Sequence, residues 1–204
     1  MKKTKKLFYF AKNYNLKMRI LLVLLFAFYS LQTFAQRKCE YTTEVKDSLG
    51  SLKTTKEVLL YERIFGQNEQ YLFFSLTNDD GTPYLTLQQV QKNNAFIKAI
   101  CIDASTKMYV QLENGKIITL IHVQEENCGN FFYSDNKNVR VLSANFMFLK
   151  DSFKELKQSP ISMIRIKYST ETIDFRIKLE MESELLKEFN RPANFFIDYL
   201  HCVE

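Results

Sequence analysis

"MYVQLENGKIITLIHV", Met108 to Val123, sets the class of the fold. Apolar and other residues alternate on both sides of Asn114-Gly115, the period-two pattern of half-buried strands. An Asn-Gly pair between two such runs predicts a two-residue hairpin loop, because the type I′ turn matches the twist of the flanking strands. In that register Leu112 faces Ile117, Val110 faces Thr119, and Met108 faces Ile121, so one sheet face is almost wholly apolar.

The same alternation extends in both directions. "KEVLLYERI" (Lys56 to Ile64) reads as a strand, and "QYLFFSLT" (Gln70 to Thr77) and "PYLTLQQV" (Pro83 to Val90) flank the turn "NDDG" at Asn78 to Gly81. "NVRVLSANFMFL" (Asn138 to Leu149), "ISMIRIKYS" (Ile161 to Ser169) and "TIDFRIKLEM" (Thr172 to Met181) follow as further strands. In the last, Ile173, Phe175, Ile177, Leu179 and Met181 share one face.

Two pieces break the pattern. "DSFKELKQSP" has a helix cap in Asp151, Phe153 and Leu156 at helical spacing, and Pro160 as its stop. "SELLKEFNRPANFFIDYLHC" (Ser183 to Cys202) predicts a helix with Leu185, Leu186 and Phe189, broken or restarted at Pro192. Its second part carries Phe195, Phe196, Tyr199 and Leu200, whose rings require burial against a sheet. The expected class is mainly β, at the margin of α+β. It is an antiparallel sheet, sandwich or partly open barrel with two short helical segments near the C-terminus.

The N-terminus reads as an address. Met1 to Arg19 carries seven basic residues and no acid, Ile20 to Tyr29 is a ten-residue apolar run, and Thr33 and Ala35 are small. This is the order of a secretory signal, with cleavage near Ala35-Gln36; an uncut anchor is the alternative. The apolar run is short of the roughly 20 residues a membrane-spanning helix needs. Cys39 follows Gln36, Arg37 and Lys38, the wrong setting for a lipid-modified cysteine. The organisation expected is a signal over 1–35, then a single domain over 36–204, exported to the periplasm or outside the cell, with no membrane span in the mature part.

Removing the signal changes the electrostatics. The chain has 28 basic and 23 acidic residues, and all seven basic residues up to Arg19 belong to the address. The remainder carries 21 basic against 23 acidic residues. A nucleic-acid-binding role has no positive excess to support it.

The four cysteines, Cys39, Cys101, Cys128 and Cys202, all lie in the mature part. An even number behind a signal predicts disulfides, in one of three connectivities. Cys39 with Cys202 would fasten the two ends; Cys101 with Cys128 would pin the loop "NCGNFFYSDNKN" (Asn127 to Asn138) to "AFIKAICID" (Ala95 to Asp103). The alternative for Cys101 is a buried thiol. No metal-ribbon or CxxC spacing occurs, and no cofactor motif, so no cofactor is expected.

Catalytic signatures are missing from the sequence. There are two histidines, His122 in a strand and His201 beside Cys202, neither in a HExxH arrangement, and no GxSxG or phosphate-binding glycine loop. Asp79-Asp80-Gly81 lacks the alternating acids of a calcium loop and reads as a turn. Glu180, Glu182 and Glu184 read as a solvated strand end. Phe131, Phe132 and Tyr133 are the candidate contact residues; the bland expectation is that both phenylalanines fill the core, the sharper one that the loop presents them to a partner.

"FAQ" (Phe34 to Gln36), "CEYTTEVKDSLGSLKTTK" (Cys39 to Lys56), "LENGKIITL" (Leu112 to Leu120) and "LKQSPISMIRIKYS" (Leu156 to Ser169) together resemble small exported proteins of Bacteroidetes-type bacteria. That resemblance implies no activity and no catalytic residues. The reading is a non-enzymatic exported domain that binds a protein or envelope partner. A hydrolase whose site assembles only in the fold, and a carrier of apolar ligands, are the alternatives. Partner, ligand and oligomeric state have no signal in the sequence.

Overall fold

The computed structural model describes residues 37–48 and 50–204; the segment over 1–35, expected from the sequence to be a signal, lies outside them. Thirteen strands are formed among the described residues. The first nine are β1 (Tyr41–Lys46), β2 (Ser51–Thr55), β3 (Val58–Phe65), β4 (Asn68–Asp79), β5 (Thr82–Asn93), β6 (Lys107–Leu112), β7 (Ile117–His122), β8 (Asn130–Ser134) and β9 (Lys137–Phe148). After the short helix α1 (Ser152–Leu156) come β10 (Ile161–Lys167), β11 (Thr172–Arg176), β12 (Met181–Glu182) and β13 (Phe189–Asn190). A 3₁₀ turn at Pro192–Asn194, the helix α2 (Phe195–Tyr199) and a second 3₁₀ turn at Leu200–Val203 end the chain.

All pairings are antiparallel: an eleven-stranded sheet is ordered β1-β2-β4-β5-β9-β7-β6-β10-β11, with β3 also on β4 and β8 also on β9, and β12–β13 form a separate two-stranded sheet. The expected class is therefore the observed one. The twelve-residue strands β4, β5 and β9 form the spine, and each outer flank of that spine is shared by two shorter strands. Alternation puts Leu72, Phe74 and Leu76 of β4, Leu85 and Leu87 of β5, and Leu142, Ala144 and Phe146 of β9 on one buried face. The sheet curls round that face until Tyr61 of β3 meets Phe175 of β11, ring centroids 5.2 Å apart. No pairing joins β3 to β11 among the described residues, so the barrel stays open.

The C-terminal segment fills the open side. Phe195, Phe196 and Leu200 are buried as expected, with Phe74 edge-on to Phe195 at 5.6 Å and Phe196 at 6.1 Å from Phe148. Asn78 of β4 donates its side-chain amide to the Val203 carbonyl at 2.8 Å, holding the last turn to the sheet. On the outer face Leu59, Tyr71 and Met181 make a second, smaller cluster under the β12–β13 hairpin.

Four local expectations are corrected. The β6–β7 register is one residue off: Val110 pairs with Ile118 and Met108 with Leu120. The loop has three residues, closed by a Leu112 N–H to Lys116 carbonyl bond, with Gly115 at φ 83 supplying the left-handed step. A one-residue slip of β7 against β6 turns every β7 side chain over, while Met108, Val110 and Leu112 of β6 stay buried. Leu120 and His122 are therefore buried, while Ile117, expected inward, is exposed.

Ser183 to Asn190 is a hairpin rather than a helix. The Glu62 carboxylate on β3 accepts the N–H groups of Glu184 and Leu185, at 3.0 and 2.9 Å, and this tertiary contact sets the backbone path. Leu185, Leu186 and Phe189 are left exposed. The strand expected through Met181 ends at Arg176; Leu179 is exposed and Met181 joins the outer cluster. Asp151 does not cap α1 through its side chain; it precedes the helix in a left-handed conformation, φ 65.

Candidate interaction surface

Both disulfides form in the expected pairing, Cys39–Cys202 and Cys101–Cys128, and among the described residues no cysteine is free. The second bridge holds the segment before β8 against the loop after β5, reinforced by reciprocal backbone bonds between Ile102 and Asn127. Gly129 follows, at φ 73, where a Cβ would come 2.5 Å from the Val141 carbonyl oxygen. Only glycine lets the chain pass this close to β9, and from there β8 begins.

β8 reads Asn130-Phe131-Phe132-Tyr133-Ser134, and its first four residues are all exposed. Phe131, Phe132 and Tyr133 are 43, 47 and 67 % exposed, so neither phenylalanine fills the core. The supposed loop is the first strand of a hairpin, Ser134 paired with Lys137 across Asp135-Asn136, both at positive φ. Phe131 is held from two sides. Phe96, 75 % exposed in the loop after β5, packs against it with ring centroids 5.7 Å apart, and the Arg140 guanidinium lies 5.1 Å from its ring centre. Arg140 is buried, donating to the carbonyls of Ile97 and Cys128 at 3.2 to 3.3 Å, so it fixes the loop after β5 and the Cys128 turn beneath the aromatic cluster.

The backbone of β8 is as open as its side chains. Among the described residues it pairs with β9 alone. Antiparallel residues alternate between bonded and non-bonded pairs, and a two-residue turn makes Ser134–Lys137 a bonded pair. Phe132 and Asn130 share that phase; Phe131 and Tyr133 turn their N–H and C=O groups away from β9.

Sheet edges are usually blunted by charge, proline or a covering segment. β1 carries Glu44, paired with Lys53 at 2.8 Å, and Lys46. β11 carries Asp174, which accepts two 2.6 Å bonds from Arg165 on β10, and Arg176. β3 has the β12–β13 hairpin against it through Glu62 and through Asn190, whose amide donates to the Leu59 carbonyl. β8 has no charged residue and no proline.

A groove of about 850 Å3 lies elsewhere, on the outer face, between the segment starting at Arg37 and the β12–β13 hairpin. Thr54, Thr55, Phe73 and Ser75 line it together with charged residues of both signs, Arg37, Lys56 and Glu188 among them. Thr55 is committed to structure, its hydroxyl accepting the Leu76 N–H at 2.9 Å where β2 gives way to β3. This concavity is open and lined by charges of both signs, unlike the enclosed apolar cavity a ligand carrier requires, and the inner face is filled by packed aliphatic and aromatic side chains.

The histidines do not assemble a triad. His122 shares a 3.0 Å hydrogen bond between Nδ1 and the Asp103 carbonyl, and its ring lies against Phe146. His201 has Nε2 3.3 Å from Cys39 Sγ and 3.7 Å from Cys202 Sγ. Neither bonds a serine or aspartate side chain among the described residues, and neither lines the groove. Glu180 pairs with Arg191 at 3.2 Å, a surface contact. Asp79–Gly81 is the β4–β5 turn, and Asp80 accepts the Ser51 N–H at 2.6 Å.

On the outer face Glu69 bonds Lys137 and accepts from the Tyr71 hydroxyl at 2.8 Å. Burial pushes the Glu69 carboxyl up, but the Lys137 and Tyr71 hydrogen bonds and the Lys137 and Lys92 charges together hold it below the usual carboxylate range. These contacts tie β4 to the start of β9, next to β8. Comparison with protein-family models, curated proteins and solved structures finds no match to this chain.

Proposed function

We infer that this chain is a non-enzymatic, exported domain that binds an extended, uncharged segment of a cell-envelope protein along β8. One observation carries the reading. β8 is the sheet edge without charge, proline or a covering segment, and it presents three consecutive exposed aromatic residues. An added strand would take main-chain bonds from Phe131 and Tyr133, while Phe132 and the Phe96–Phe131 pair would contact its alternating side chains. The absence of charge on β8 selects an uncharged segment, because a charged one would lose hydration there without a partner. Two disulfides suit an oxidising compartment, which supports export.

The test is selection of decapeptides from a random display library on the purified chain, followed by amide exchange with a selected peptide bound. Uncharged peptides should slow exchange at the Phe131 and Tyr133 amides at least about tenfold. Phe132→Lys should abolish binding, and Thr172→Lys on the β11 edge should leave it intact. Protection confined to the groove or another edge would refute the reading. So would protection of both amides in the free protein that grows with concentration, which would make the occupant a second copy of the chain.

A further inference from the structure

His201 is aimed at a disulfide. Its Nε2 lies within 3.3 and 3.7 Å of the two sulfurs of the bridge that joins the ends of the domain. Its Nδ1 is buried without a hydrogen-bond partner, so the ring is held by its position rather than by a polar contact on its other side. Cys39 is partly exposed, whereas Cys202 is 6 % exposed. The other bridge, Cys101–Cys128, has the Glu126 carboxylate near its sulfurs and no histidine in that group. An imidazole N–H stabilises a neighbouring thiolate; a carboxylate opposes one.

We propose that Cys39–Cys202 is a thiol–disulfide exchange site, with His201 as the group that receives the leaving thiolate and an external dithiol as its reaction partner. A thiolate of the dithiol attacks the accessible Cys39 Sγ. The Sγ–Sγ bond breaks and its electron pair leaves on Cys202, where the His201 Nε2–H donates a hydrogen bond or its proton. The second thiolate of the dithiol then attacks its own sulfur in the mixed disulfide and expels Cys39 as a thiolate. Two electrons pass to the bridge, and the dithiol ends as a disulfide.

Opening this bridge has a structural consequence. Cys39 fastens the strip from Arg37 to Glu40, one wall of the outer groove, to the last turn of the chain. The other ties at that strip include Arg37 with Asp198 at 3.2 Å and with the Tyr199 hydroxyl at 3.1 Å, the Lys56 N–H to the Glu40 carbonyl at 2.9 Å, and, at the next residue, Tyr41 with the Cys202 carbonyl at 3.0 Å. Exchange at Cys39 therefore loosens the groove wall without touching the β8 edge. Asp198 interacts with His201, and Arg37 and Arg191 act on the same carboxylate; Glu204, three residues further along the chain, pairs with Lys157.

The test uses the oxidised chain in graded ratios of reduced to oxidised dithiothreitol, quenched with iodoacetamide and read by peptide mass spectrometry. Cys39–Cys202 should open at a ratio at least about tenfold lower than Cys101–Cys128, which serves as the internal reference. In protein reduced at that bridge alone, the pH profile of alkylation should place a Cys39 or Cys202 thiol about a unit or more below the ~8.5 of a free cysteine. His201→Gln should return it to that value. Simultaneous opening, or a wild-type thiol near ~8.5, overturns the proposal whether or not the variant folds.

Discussion

Gly115 and Gly129 sit at nearly the same left-handed backbone angle, φ 83 and φ 73, in opposite surroundings. A Cβ at Gly115 meets nothing within 4 Å. At Gly129 it meets the Val141 oxygen at 2.5 Å, the Val141 carbonyl carbon at 3.1 Å and the Leu142 Cα at 3.2 Å, all of them backbone. Gly115→Ala should therefore cost the conformational term alone, about 1–2 kcal/mol. Gly129→Ala carries that same term and must also push the Cys128 turn off β9, straining the Asn130–Val141 pair that starts β8. Losing one or two ladder hydrogen bonds there, at about 1 kcal/mol each, brings the expected total to about 2–4 kcal/mol. Urea titration of the disulfide-intact protein, followed by far-ultraviolet circular dichroism, measures both variants; a common m-value keeps the comparison two-state. If Gly129→Ala falls within about 0.5 kcal/mol of Gly115→Ala, the close approach does not exist and β8 is not anchored as described.

The two bridges differ in span, 163 residues for Cys39–Cys202 and 27 for Cys101–Cys128. On chain entropy, replacing each pair by serine should cost about 5 and about 3.5 kcal/mol respectively, and a reversed order in urea titration would show that loop length does not govern. Tyr168→Phe deletes a buried 2.5 Å hydrogen bond to Gln89, whose other amide atom already lacks a partner, and should cost about 1–3 kcal/mol; a neutral result would mean the pair is not buried as described. Glu69 has its folded pKa below the ordinary value, so its contribution is present above the unfolded pKa and is lost as pH falls through the folded one. Urea midpoints measured from pH 7 down to pH 3 should fall less steeply for Glu69→Gln than for the wild type, and parallel profiles would remove Glu69 from the acid response.

The site was only partly legible in the sequence. Phe131, Phe132 and Tyr133 stood out by composition, but their exposure depends on where β8 ends up, on the outer flank of β9 past the reach of the core. Phe96 and Arg140 carry no local signal at all. They join the cluster because the loop after β5 folds back on β9 and presents the Ile97 carbonyl to the guanidinium. The meeting of Cys39 with Cys202 was legible, and so was the adjacency of His201 to Cys202; that the ring turns its Nε2 toward both sulfurs was not.

Period-two alternation by itself determined the β class and most strands, because a strand half buried in a curled sheet must repeat its apolar side every second residue. The signals for the C-terminal aromatics were equally local: rings as large as Phe195 and Phe196 leave water wherever a sheet face can receive them. Tertiary structure decided what those local rules leave degenerate. The Asn114-Gly115 pair permits a two- or a three-residue loop, and the core chose the register that buries Leu120 instead of Ile121. Ser183 to Asn190 has the composition of a helix, yet one carboxylate from a strand over a hundred residues away, Glu62, claims two of its N–H groups. Such long-range hydrogen bonds outweigh intrinsic helix propensities of a few tenths of a kcal/mol per residue, roughly the scale on which short segments are decided.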